Sequence, residues 1–351
     1  MKSVACDISS FARNPFGGVS QVCFHTVRQL EKFSDLALTG FYTKGDVTSL
    51  NGSSIDLKRI RPWTSRFSPE YDIVHSLCHR KLEIEALCHI YTVHDAWSLK
   101  PNAWQSPEFQ QKLESRMRPE IADADLVLTG SEWTRMELLA LDAVDPDRCF
   151  SLPNGIIIPE PTMTRTQPIK MRESTSPYVL FVGRLENRKN IPHILEAVRP
   201  FADLKLVLVG EPGFGFDEGI EEEIGKFPAD RLMSLSRVSP AELLWLYENT
   251  LVTLLPSWEE GFGLPMLEAM AAGSPVITSD RSGCAEIARG AAFMVDPGEP
   301  EQSRRAIEQI RDDAKFRGQL VSDGKRRASE YTWTRYGKSL KEWYDRMMAS
   351  Q

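Results

Sequence analysis

The sequence has no long apolar run: nothing in its 351 residues approaches the roughly 18 apolar side chains that a membrane-spanning helix needs. It also has no apolar leader. One lysine is followed by a strand-like run that reaches Asp7, which is not the pattern of a signal peptide, so a cytoplasmic chain is expected. Paired cysteines are missing. Cys6, Cys23, Cys78, Cys88, Cys149 and Cys284 stand apart, without CxxC or zinc spacing, and several lie inside apolar runs; they read as reduced core residues. No pair of histidines has metal-ligand spacing, so neither a metal nor another cofactor is expected. Positive charge is not in excess: 42 Lys and Arg stand against 49 Asp and Glu, a net charge of −7. That balance offers no basic stripe to displace counterions from a nucleic acid, which is excluded as a partner. Repeats and low-complexity tracts are absent, and so is a full GxGxxG. The partial Gly213-Phe214-Gly215-Phe216-Asp217 follows a late strand and speaks against a dinucleotide-dependent enzyme.

What is present is a regular alternation of short apolar runs with segments of helical period, the pattern of β-α units around parallel sheets, so the class is α/β. Strands are expected near Ser3–Cys6, Leu38–Tyr42, Ile73–His75, Ile90–Val93, Leu126–Thr129 and Phe150–Leu152. The same grammar restarts with Tyr178–Val182, Leu204–Val209, Val252–Leu255, Pro275–Thr278 and Phe293–Val295. A length of 351 residues exceeds what one core usually organises, so two lobes of about 150 to 180 residues are the natural division. Pro159–Pro177, rich in Pro, Thr and Ser without an apolar face, reads as the linker between them. The expected domains are therefore 1–168 and 169–332. A final segment, 333–351, carries Trp333, Tyr336, Leu340, Trp343, Tyr344 and Met347 at near-helical spacing and reads as a docking helix.

Open parallel sheets bind ligands at the carboxyl ends of their strands, so the loops there carry the candidates. After Val252–Leu255 comes Pro256-Ser257-Trp258-Glu259-Glu260-Gly261-Phe262-Gly263-Leu264-Pro265-Met266-Leu267-Glu268. Its glycines let backbone amides approach a ligand, and Pro265 suits the first turn of a helix whose free amides favour an anion or hydroxyls before Gly263 and Leu264. Glu260 and Glu268 can hold different parts of one extended, hydroxyl-rich ligand. Arg184 and Lys189 follow Tyr178–Val182, five residues apart, in a loop that opens a helix, where two fixed cations favour an anionic ligand. Arg188 beside them reads as an ordinary surface ion pair. In the first lobe, Gly17-Gly18 precede a segment of helical spacing and place a second amide-rich helix end at the sheet edge. His94 and His75 both end strands and compete for a ligand-facing role, while His25, His79, His89 and His193 read as structural.

These residues resemble the retaining glycosyltransferase family 4. The resemblance rests on a glutamate, seven residues and a second glutamate in a Gly-Phe-Gly-Leu-Pro context, Glu260 to Glu268. It extends to Gly17-Gly18-Val19, Thr92-Val93-His94-Asp95, Thr129-Gly130-Ser131-Glu132-Trp133-Thr134, Pro153-Asn154-Gly155, Phe181 to Asn190 and the closing Tyr331-Thr332-Trp333-Thr334-Arg335. It implies a GT-B fold: two Rossmann-like lobes facing across a cleft, the first binding acceptor and the second the nucleotide-sugar, with the last helix crossing back to the first lobe. It implies that Arg184 and Lys189 clamp the diphosphate, that Glu260 contacts hydroxyls of the transferred sugar and Glu268 the ribose, and that His94 rather than His75 meets the donor sugar. Gly17, Gly18, Gly183, Gly261, Phe262, Gly263 and Leu264 complete the expected donor site.

The contexts around His94, Lys189 and Gly210 look most like the mannosyltransferase branch, which implies GDP-mannose as donor, with UDP-hexoses close behind. The implied acceptor is a saccharide or lipid-linked saccharide of a surface polysaccharide. The implied location is then the cytoplasm or the inner face of the cytoplasmic membrane. Lys58–Phe67, four cations interleaved with two aromatics, is either a solvated loop or a point of peripheral membrane contact. A phosphorylase or hydrolase, and a sensor that binds sugar nucleotides without transfer, are the competing readings.

Overall fold

The computed structural model describes residues 1–50, 52–60, 70–78, 82–172, 176–213 and 218–350. The chain forms two compact units. The first comprises Met1–Asn102, Ser106–Gly155 and Tyr331–Gln351, the second Ala103–Gln105 and Ile156–Glu330. The chain thus leaves the first unit after Gly155, ahead of the Pro- and Thr-rich stretch.

In the first unit, seven strands make one parallel sheet: β1 (Lys2–Asp7), β2 (Leu36–Tyr42), β3 (Asp56–Arg59), β4 (Tyr71–Ser76), β5 (Ala86–Val93), β6 (Leu126–Thr129) and β7 (Cys149–Ser151). Their order is β3-β2-β1-β4-β5-β6-β7. The second unit repeats the plan with β8 (Tyr178–Val182), β9 (Lys205–Val209), β10 (Leu232–Leu235), β11 (Val252–Leu255), β12 (Val276–Ser279) and β13 (Phe293–Val295), in the order β10-β9-β8-β11-β12-β13. Both are Rossmann-like, and both reverse strand order once, between β1 and β4 and between β8 and β11. At such a reversal the loops leave in opposite directions and open a crevice beyond the strand ends.

The central strands are buried along their whole length, as strands covered on both faces are, and are apolar but for a threonine each in β6 and β11: all of β8, β6 and β11 is buried. Two strands were not expected. Asp56-Leu57-Lys58-Arg59 and Leu232-Met233-Ser234-Leu235 form the outermost strands beside β2 and β9. An edge strand is paired on one side only and, as in β3, can keep its charges in water, so it needs no apolar run. Of Lys58–Phe67, therefore, Lys58 and Arg59 close β3 and Ile60 follows; the remainder lies outside the described residues, as do His79 and Phe214–Asp217.

The last helix, Trp333–Ala349, packs within the first unit, with Trp333, Tyr336, Leu340 and Tyr344 buried. Its contacts are specific as well as apolar. The Thr26 hydroxyl donates to the Tyr336 hydroxyl at 2.9 Å, and Trp333 stacks on the His25 ring at 4.5 Å between centroids. The Tyr344 hydroxyl is hydrogen-bonded to His75 Nδ1 at 2.8 Å. All six cysteines are free thiols in the core. Among the described residues no helix is long and apolar enough to cross a membrane.

Candidate active site

The switch point of the second sheet gathers most of the expected residues. After β8 the chain passes Gly183 and Arg184, makes a 3-10 turn over Asn187–Lys189, and enters the helix Ile191–Val198 through Asn190, which is left-handed at φ 59. Asn190 holds that turn by donating from Nδ2 to the carbonyls of Pro297 at 2.7 Å and Pro256 at 3.2 Å. His193, one turn into the helix, bonds the same Pro297 carbonyl and the Ser303 hydroxyl and is buried, which fits a structural role.

After β11 the loop runs from Pro256 to Gly263, the N-cap of the helix Leu264–Ala272. Gly263 sits at φ +89, a conformation that L side chains rarely adopt, and this turn aims the helix start. Phe262 is buried, so only its backbone can meet a ligand. Glu268 is half-buried on the helix. Burial raises its carboxyl pKa above the ordinary value, opposed by a hydrogen bond from the Tyr247 hydroxyl at 3.2 Å.

The two loops meet at Glu260. Its Oε1 is ion-paired with Lys189 Nζ and accepts from the Ser257 hydroxyl at 3.0 Å; its Oε2 lies 3.1 Å from Arg188 Nη1. All three charged side chains are about nine-tenths buried, with 11% exposure for Arg188 and Lys189 and 12% for Glu260. Burial alone drives the Glu260 pKa upward, but the charges of Lys189 and then Arg188 outweigh it and bring it down to about 2. Glu260 is therefore an anion at any physiological pH. Arg184 is exposed at the rim, where its charge helps, after that of Arg237, to lower the Glu211 pKa.

Two features of this cluster were not read from the sequence. Arg188 is no surface ion pair; its guanidinium is buried against Glu260, Glu186 and the Glu259 carbonyl. The segment Arg281–Gly283, after β12, grips the backbone of Glu260 from both sides: Glu260 N donates to Ser282 Oγ at 3.2 Å, and Gly283 N donates to Glu260 O at 2.9 Å. A Cβ on Gly283 would come within 2.4 Å of the Gly261 carbonyl oxygen, so only glycine fits. Ser-Gly after a strand is too common a dipeptide to have signalled this.

In the first unit, β1 is followed by a short helix, Ser9–Arg13, before Gly17 caps the helix Gly18–Leu30. Gly18 is exposed at that helix start. His94 follows β5 directly, and its Nε2 lies 2.8 Å from the carbonyl of Leu77, just past β4. A carbonyl only accepts, so Nε2 carries the proton. His75 is different. It is fully buried within β4, bonded to Tyr344 and to the Thr92 hydroxyl at 2.8 Å each, and burial followed by the nearby His94 lowers its pKa to about 3. It fastens the last helix to the sheet and is closed to any ligand. Among the described residues no group of three His, Cys, Asp or Glu side chains is placed to hold a metal ion.

Two Rossmann-like domains, one with a buried charge cluster at its switch point, form a frame for binding a ligand at the strand ends, and the comparisons narrow its class. Residues 164–327 match the family described as "Glycosyl transferases group 1". The chain is 26% identical over 259 residues to O-antigen chain mannosyltransferase B of Escherichia coli, covering 70% of this chain and 66% of that protein. It is 25% identical over 318 residues to the D-inositol 3-phosphate glycosyltransferase of Corynebacterium glutamicum, covering 82% and 75%. In fold it is similar to Anabaena HepE, solved in complex with UDP-glucose: TM-score 0.78, 17% identity, 98% of this chain and 100% of that one. The chain is an enzyme that transfers sugars, a glycosyltransferase of the GT-B fold.

Proposed function

We propose that the chain transfers a hexose, mannose from GDP-mannose first of all, to a saccharide or lipid-linked saccharide with retention of anomeric configuration. The buried Lys189–Glu260 pair at the switch point of the second sheet carries this reading, because a cation suited to phosphate and an anion suited to hydroxyls stand side by side there. Lys189 and Arg184 receive the diphosphate, and no divalent cation is needed to neutralise the leaving charge. The amides before Gly263 and Leu264 add to that field, Glu268 accepts from the ribose, and Glu260 accepts from the sugar. Gly17, Gly18 and His94 serve the donor sugar and acceptor from the first unit.

In the reaction the acceptor oxygen forms a bond to the anomeric carbon as the bond to the diphosphate breaks. The departing phosphate oxygen takes the acceptor proton, so no separate protein base is required. Mannose is favoured by mannosyltransferases among the relatives, and the O-antigen enzyme suggests a surface polysaccharide as product. A lipid-linked acceptor brings the enzyme to the cytoplasmic face of a membrane. A UDP-hexose donor is the second reading, supported by the UDP-glucose complex of HepE.

A thermal-shift panel of GDP- and UDP-sugars tests the donor, since a ligand bound only by the native state raises Tm. GDP-mannose should give the largest shift; a shift with UDP-sugars alone overturns that choice. NMR of the product should show the anomeric configuration of the donor, and inversion refutes the mechanism. Binding without turnover, in the presence of saccharide acceptors, would make the chain a sensor.

A further inference from the structure

One buried charge at the site has no part in the reaction as described. Arg188 Nη1 donates to the Glu259 carbonyl at 2.6 Å and lies 3.1 Å from Glu260 Oε2, while Nη2 lies 3.3 Å from Glu186 Oε2. Its own carbonyl accepts from Trp258 N at 2.9 Å, which laces the loop after β8 to the loop after β11. Glu186 is itself fixed, buried against Gly213, where a Cβ would come within 2.4 Å of its Oε1. The guanidinium is thus anchored on three sides and planar. Lys189, which shares Glu260, is a point charge on a flexible four-carbon stem. Two cations share the Glu260 carboxylate, and they differ in their freedom to leave.

We propose that Arg188 is a positioning residue that keeps the Glu260 carboxylate ionised and in place while Lys189 transfers from that carboxylate to the diphosphate of the donor. The inference rests on the reading of Lys189 as the diphosphate-binding cation. A buried carboxylate stripped of its only cation takes up a proton or turns away. With Arg188 in place it does neither, and its oxygens remain acceptors for the sugar hydroxyls. The groups facing Glu260 are Arg188 and Lys189 from the loop after β8, Ser257 from its own loop, and Cys284 from the helix Ser282–Ile287. Burial, then the charge of Glu260, pushes the Cys284 thiol up to about 12, so it stays neutral. Glu186 stands behind Arg188 as its second counter-charge.

The test is calorimetric titration of the full chain with GDP, GDP-mannose, UDP and UDP-glucose between pH 5 and 8. The quantity read is the gain in affinity that the sugar adds to its own nucleotide. Hydrogen bonds to a charged acceptor make this gain about tenfold or more in the wild type, constant across that range. Arg188→Met should bind the nucleotide within about threefold of wild type, since each half-unit of log K is small against the loss of a clamp. It should lose the sugar's gain, and lose more of it towards pH 5. Arg188→Lys should restore part of the gain. In a Glu260→Gln background Arg188→Met should change nothing further, because coupled residues are not additive. An Arg188→Met protein that keeps the gain at every pH, or loses it equally with and without Glu260, overturns the proposal. If Arg188→Met does not fold, Arg188→Lys and Glu186→Gln are judged by the same pH dependence: a flat profile in both overturns it. Lys189→Ala binding GDP and UDP as tightly as wild type sinks the reading of Lys189 instead, whatever the Arg188 variants do.

Discussion

Glu260→Gln is the perturbation whose cost follows most directly from the geometry. The substitution preserves shape and an acceptor but removes the charge that pairs with Lys189 and Arg188. Linkage gives one route to the magnitude. The pKa falls from an ordinary 4.5 to about 2, and about 2.5 units at 1.36 kcal/mol each come to roughly 3 kcal/mol. Breaking a buried pair by deleting one partner gives a second route, about 3 to 5 kcal/mol, with Glu186 softening the effect by remaining a partner for Arg188. A loss of about 3 kcal/mol at pH 7 is therefore expected from urea unfolding followed by circular dichroism. The sign with pH is fixed. A depressed carboxyl pKa contributes stability that is complete above the unfolded value near 4.5 and fades as pH falls through about 2. At pH 3.5 the wild-type advantage should have narrowed by about 1.4 kcal/mol. A gap that is the same at pH 7 and pH 3.5, or smaller than about 1 kcal/mol at both, would mean that Glu260 is not the anion that the cluster requires.

His75→Gln should be less stable than wild type at pH 7, having lost a fitted link to Tyr344, yet flatter in stability between pH 6.5 and 4. The native imidazole titrates at about 3, so the unfolded chain takes the proton first and stability falls with pH through that window; an unchanged slope refutes the assignment. Gly283→Ala forces a methyl group against the Gly261 carbonyl; it should cost about 1 to 3 kcal/mol and lower transfer more than nucleotide affinity, and full activity would show that the grip on Glu260 is dispensable. Tyr247→Phe removes the hydroxyl that opposes the burial-raised pKa of Glu268. Nucleotide affinity, present above that pKa and lost as pH falls through it, should then decline at a higher pH than in wild type; an unmoved midpoint argues against Glu268 at the ribose.

The apolar central strands were legible because a strand covered on both faces must be apolar along its whole length, as Tyr178–Val182 is. Strands β3 and β10 were not, since an edge needs no such run. The loops after β8 and β11 were legible through glycine and proline, whose backbone requirements are local. What escaped was partnership. His75 and His94 stand in the same local context, a histidine at the carboxyl end of a strand, and both are buried; what separates them is partnership, His75 with Tyr344, 269 residues along the chain, and His94 with the Leu77 carbonyl. Arg188 likewise differs from a surface arginine only because Glu260, 72 residues on, is folded over it.

The cluster also bears on how an acidic chain would receive an anionic donor of the kind proposed. The net charge of −7 belongs to the whole molecule, whereas Arg188 and Lys189 balance Glu186 and Glu260 within a few ångströms. A site left strongly positive would hold its cations apart at a cost in stability; a neutral one keeps them buried and packed. On the proposal that Lys189 receives the diphosphate, the diphosphate competes with Glu260 for it, and nucleotide binding by itself should be weak. The carboxylate, still held by Arg188 and Ser257, would then replace the lost Lys189 contact with a hydroxyl of the sugar. On that proposal nucleotide affinity and sugar recognition are tied to the same ion pair, and the enzyme should hold the intact donor better than the nucleotide it releases.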